Sequence, residues 1–147
     1  MEINDAIAKR ELGFSFPLDD TKKRQREYNR IIGLFEDDLR KQGLSDLTIQ
    51  RHTDRIDLFL NAFLAYNHSS SVRHASGFPG EYFGRFLIRY VRSADLIKTH
   101  ASSVRKFYKW LAQNGAITQE EYKRFCQIVK DKMDTWQNTF FRYYCYQ

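Results

Sequence analysis

Proline is scarce in this chain of 147 residues: it occurs twice, beside 7 glycines and 2 cysteines. So few backbone breakers argue against the many tight turns of an all-β fold and leave room for long helices. Cys126 and Cys145 are too sparse for a disulfide framework or a cysteine zinc site, and both are read as reduced thiols. No stretch approaches the roughly 18 uncharged apolar residues that a membrane span requires. The opening "MEINDAIAKRELGF" also lacks the apolar run of a secretory signal. The expectation is a soluble cytoplasmic protein with no membrane partner. Also missing are a glycine-rich phosphate loop, carboxylates at metal-ligand spacing and a distinct Ser/His/Asp set. No cofactor, no metal and no enzymatic activity are therefore expected.

What the chain does have is apolar surface: 42% apolar residues, 16% of the chain being aromatic, suffice for the core of one domain. Residues 1–21 read as an arm, with a short helix over Asn4 to Glu11 and an extended entry at Pro17. A first long helix is expected from about Thr21 to Gln42, where Tyr28, Ile31, Ile32, Phe35 and Leu39 recur at helical spacing and Gly43 is the stop. Its beginning, "KKRQR", opposes the helix dipole, which points to a role other than helix stability. Ser45 caps a second helix with the stripe Ile49, His52, Ile56, Phe59 and Phe63. The segment "NHSSSVRHASGFPG" reads as a flexible connection. A third helix over about Glu81 to Arg92 groups Phe83, Phe86, Leu87, Tyr90 and Val91. Ser93 then caps a fourth, with Ile97, Ala101, Val104, Tyr108 and Leu111 inward. The capping box "TQEE" starts a fifth at Thr118, carrying Tyr122, Phe125, Cys126, Val129, Met133, Trp136 and Phe140.

Two of these helices are written to one recipe. "SDLTIQRHTDRIDLF" (45–59) returns as "SADLIKTHASSVRKF" (93–107), aligning Ser45 with Ser93, Ile49 with Ile97, His52 with His100, Ile56 with Val104 and Phe59 with Phe107. A shared cap and core stripe suit two helical hairpins packed across one another, whereas two copies are too few for a stacked solenoid.

The formal net charge of +6 is unevenly placed. Between Gly84 and Lys109 stand Arg85, Arg89, Arg92, Lys98, Arg105, Lys106 and Lys109 against Asp95 alone, so this stretch carries the whole excess while the other 17 basic and 17 acidic residues cancel. Local excess of this kind suits a polyanion, although a basic helix face is also an ordinary solvated surface. On the fourth helix Ser102, Arg105, Lys106, Lys109 and Gln113 project away from the apolar stripe. Lys98, Thr99 and Ser102 lie near the helix start, and Arg51 and Arg55 occupy the matched second helix. These eight residues, Arg51, Arg55, Lys98, Thr99, Ser102, Arg105, Lys106 and Lys109, form the candidate DNA-binding set. His52 and His100 read as packed or border histidines, and Phe107 and Trp110 as core or interface aromatics rather than base-stacking platforms. Tyr143, Tyr144 and Tyr146 lack the converging cations that activate a tyrosine for phosphoryl transfer.

"LRKQGLSDLTIQRHTDRIDLFL" followed by "SADLIKTHASSVRKFYKWLAQNGAI" resembles the N-terminal core-binding, SAM-like domain of phage integrases and other tyrosine recombinases, over roughly residues 28–118. The resemblance implies an all-α, SAM-like bundle of about five helices, with the second and fourth helices crossing the major groove of double-stranded DNA. The chain departs from the family after "GAI": "TQEEYKRF" enters a fifth helix where family members continue into a catalytic domain, so no strand-cleaving chemistry carries over. The expected organisation is an arm (1–21), a core-binding-like domain (22–118), and a C-terminal helix with an aromatic tail (119–147) packed on that domain or on a partner. The function it implies is a non-catalytic DNA-binding module in recombination or integration, nucleoid-associated when bound. The alternative is an interaction module that has lost DNA binding and self-associates, or contacts a full-length recombinase, through the C-terminal helix.

Overall fold

The computed structural model describes residues 21–67 and 70–145, and all regular structure among them is helical. The short helix expected over Asn4 to Glu11, and Tyr146, lie outside the described residues. Helix α1 (Thr21–Lys41) buries Tyr28, Ile31, Phe35 and Leu39, one stripe at steps of three and four. It ends at Gly43, whose φ of +81° favours glycine; the Leu44 N–H turns back to the Leu39 carbonyl at 3.4 Å. Helix α2 (Asp46–Asp57) begins at Ser45, whose hydroxyl accepts from the Thr48 N–H at 3.2 Å. It continues as a π-helical stretch, Leu58–Phe63, and a 3-10 turn, Leu64–Tyr66.

The connection that follows is more structured than a flexible loop. Ser71 caps a one-turn helix α3 (Val72–Ala75), Val72 is fully buried, and its carbonyl accepts from the Tyr108 hydroxyl at 2.7 Å. The third helix of the sequence reading proves irregular, a π-helical Tyr82–Phe86 followed by a 3-10 Leu87–Arg89. Tyr82, Phe83 and Leu87 are buried there, but Tyr90 faces outward, since the tighter 3-10 turn rotates it off the stripe.

Helix α4 (Ala94–Gln113) buries Ile97, Ala101, Val104, Phe107, Tyr108 and Leu111, and Gly115 (φ +75°) ends it as Gly43 ends α1. Ser93 occupies the cap position with extended backbone, yet its side chain makes no capping bond; the repeat keeps the residue and loses the contact. Helix α5 (Gln119–Cys145) opens on a reciprocal box: the Glu121 N–H donates to Thr118 Oγ1 (3.0 Å) and the Thr118 N–H to Glu121 Oε1 (2.9 Å). The same carboxylate receives Arg73 Nε at 2.9 Å, tethering α3 to the start of α5.

α1 packs along α2, α4 packs along α5, and the two pairs meet through α2 and α4. Ile49, Ile56 and Phe59 from the first pair, with Val104, Tyr108 and Leu111 from the second, are all buried, as the matched stripes require. Aromatic edges interlock at the seam: Phe35 meets Phe107 with centroids 5.4 Å apart, and Phe59 meets Tyr108 at 6.1 Å. α5 is seated by Trp136, whose ring lies 5.3 Å from that of Phe83 and covers Gly80 and Gly84.

Candidate nucleic-acid interface

The surface side of α4 follows from its core side. With Val104, Tyr108 and Leu111 turned inward, Lys98, Ser102, Arg105 and Lys109 are exposed and Lys106 is half-buried at the border with α2. Ser102, Arg105, Lys106 and Lys109 line one hollow of about 280 Å³ with His52 from α2 and Tyr122 from α5. Four of the eight candidate residues thus converge. Lys98 joins Ser102 and Arg105 along an adjacent groove of about 900 Å³ between α4 and α5.

The other three candidates behave differently. Arg51 is exposed on α2 and lines neither depression. Thr99 is half-buried, and its hydroxyl donates to the Asp95 carbonyl of its own helix at 3.3 Å, a bond internal to α4. Arg55 is half-buried and donates from Nη1 to Ser103 Oγ at 3.1 Å, so part of its guanidinium is engaged in joining α2 to α4.

Ser103 is fully buried and serves both sides of that junction, because its Oγ also lies 2.8 Å from His52 Nδ1. A hydroxyl that accepts from Arg55 has its own proton to give to an unprotonated Nδ1. Burial lowers the His52 pKa, and the charges of Lys106 and Arg55 lower it further, which agrees with a neutral acceptor. His100, the partner of His52 in the repeat, is held down to about 4 by burial and by Arg55, and its Nδ1 is buried without a hydrogen-bond partner among the described residues. Both are border histidines, as their place beside the stripe suggested. They remain uncharged at neutral pH beneath the cations above them.

The "KKRQR" segment separates into two kinds of residue. Arg24 is buried, and its Nη2 donates to the carbonyls of Leu64 (3.2 Å), Asn67 (3.3 Å) and Ser70 (3.0 Å). It binds the carbonyls at the helical end that follows α2, so this residue does serve stability and is unavailable to a phosphate. Lys22, Lys23 and Arg26 are exposed.

Sequence reasoning missed the contribution of α5. Lys123, Gln127 and Lys130 line the large groove opposite Lys98, Ser102 and Arg105, with Ala101, Cys126, Val129 and Met133 between the rows and Asp134 as its one acid. The signal in the sequence is the seven-residue spacing of Lys123 and Lys130 beside the buried stripe. Tyr122 stands where the two depressions meet; burial and its contact with Cys126 raise its pKa to about 12. Near the far end of α5 the Tyr144 hydroxyl donates to the Val91 carbonyl at 3.3 Å, and Arg142 reaches Thr139. Among the described residues no cluster of His, Cys, Asp or Glu is arranged to hold a metal ion, and no helix is long and apolar enough to cross a membrane.

No protein-family model matches this chain, and no curated protein or solved structure matches it.

Proposed function

We propose that this chain is a non-catalytic module that binds double-stranded DNA, of the kind its resemblance to the recombinase core-binding domain implies, through α4 and the adjoining part of α2. The observation that carries the reading is the convergence of Ser102, Arg105, Lys106 and Lys109 on one hollow that no carboxylate lines. Arg30, Arg40, Arg73 and Arg85 each lie within 4.0 Å of a carboxylate, whereas Lys98, Arg105, Lys106 and Lys109 make no ion pair among the described residues. Cations concentrated on one face and left without carboxylates favour a phosphate backbone as their counter-charge. Ser102 sits among them as an exposed hydroxyl for phosphate or a base edge.

Titration of a labelled duplex tests this. One helical face supplies about four to six phosphate contacts, so log K should fall with log salt at a slope of about −4 to −5, with affinity about micromolar or weaker and modest sequence preference. Lys106→Glu with Lys109→Glu should remove most of the binding with little change in melting temperature. A double variant that binds as the parent does refutes the assignment. The interaction-module reading draws on a different observation, the exposure of Phe141 and Tyr144 near the end of α5. Sedimentation of the full chain, with and without Phe141→Ser, would reveal self-association through that end.

A further inference from the structure

The α4/α5 groove gathers four unpaired cations, as many as the α4 face, and draws two of them from α5. Lys98 and Arg105 line one wall, Lys123 and Lys130 the other, and none of the four makes an ion pair among the described residues. The helices run antiparallel, since Gln137 donates to the Ala94 carbonyl at 3.3 Å while Gly115 and Thr118 join the opposite ends through a short turn. Asp134 therefore lies toward the Lys98 end. Along each helix the two cations are seven residues apart, about 10 Å at the helical rise. Two levels at that separation spread the charge along the groove. They suit a repeating polyanion, whose phosphates along one DNA strand recur about every 3.4 Å of duplex axis. The apolar floor of Ala101, Val129 and Met133 offers the sugar face a surface that needs no hydrogen bonds.

We infer that α5 is a second phosphate-binding rail: one strand of the duplex lies along the α4/α5 groove, held by Lys98 and Arg105 on one wall and Lys123 and Lys130 on the other. The inference rests on the DNA-binding reading and extends it to a helix beyond the residues that carry the recombinase resemblance. It also assigns α5 a ligand contact in addition to its packing.

The test compares full-length variants by fluorescence anisotropy with a labelled duplex of 20 base pairs at several salt concentrations. Lys123→Glu with Lys130→Glu should weaken binding at least tenfold at low salt. The neutral pair Lys123→Gln with Lys130→Gln should reduce the salt slope by about 2 and serves if the reversed pair folds poorly. A control pair, Lys132→Glu with Arg142→Glu, makes the same change in net charge on exposed α5 positions outside the groove, and should weaken binding less than threefold. If the parent binds DNA and the groove variants match either the parent or the control, the second rail is refuted while the α4 reading stands. Absence of parent binding even at low salt overturns both. The same variants are sedimented with vesicles of phosphatidylserine and phosphatidylcholine; groove-dependent vesicle binding without groove-dependent DNA binding also overturns the inference.

Discussion

Arg24 and His100 show how a single side chain's role depends on what the fold places around it. Arg24 belongs to a basic cluster in the sequence but is a buried clasp on three carbonyls in the fold. Arg24→Ala should therefore destabilise the protein by about 2–4 kcal/mol in urea unfolding, because charge-assisted bonds are lost and the segment after α2 frays. Removing an exposed neighbour, by Lys22→Ala, should change stability by less than about 0.5 kcal/mol. His100 makes the opposite kind of contribution. The unfolded chain takes up its proton near the ordinary value of 6.5, whereas the folded chain resists until about 4. Between those values the unfolded state binds more protons, so this part of the stability is complete above about 6.5 and is lost as pH falls toward 4. Because the ring is only half-buried, solvent screening limits the loss to on the order of 1 kcal/mol. An NMR titration should find the His100 midpoint near 4; a midpoint at 6.5 would show the ring to be solvated.

At the scale of elements, the seating of α5 turns on a glycine. A Cβ on Gly84 would lie 2.7 Å from Trp136 Cδ1 and 3.0 Å from Nε1, closer than the rigid indole permits. Gly84→Ala should therefore lower stability by about 1–3 kcal/mol despite alanine's better helix propensity, with a change in tryptophan fluorescence as α5 shifts. Adding Trp136→Leu should recover part of the loss, since the smaller side chain vacates the clash. If Gly84→Ala melts at or above the parent temperature, α5 is not held where Trp136 places it. The position of α5 matters beyond stability, because the same packing sets the width of the cationic groove between it and α4.

For the whole molecule, the consequential property is where the net charge of +6 is displayed. Core stripes on α4 and α5 fix which sides of those helices remain outside, and the two outward rows meet across one groove. Among the described residues at the end of α5, the Tyr144 hydroxyl is bonded to a backbone carbonyl and Arg142 to Thr139. A nicked suicide duplex incubated with the protein should accordingly yield no tyrosine-linked adduct on a denaturing gel. A covalent product formed by this chain alone would replace the non-catalytic reading with an enzymatic one.

Periodicity determined the helical class, the starts and stops at Ser45, Gly43 and Thr118, and the inward stripes, because spacings of three and four residues bury one side of a helix whatever it packs against. The same spacing located the exposed face of α4. Tertiary structure alone decided the rest. It made Arg24 structural, because the carbonyls it binds lie 40 to 46 residues along the chain. It turned Arg55 toward Ser103, a partner 48 residues away, and left the Ser93 side chain without the bond that its counterpart Ser45 makes. It also brought Lys123 and Lys130 opposite Lys98 and Arg105. A helix's own sequence specifies which way each side chain points, but the charge or carbonyl it meets is supplied by another element, and only packing brings the two together.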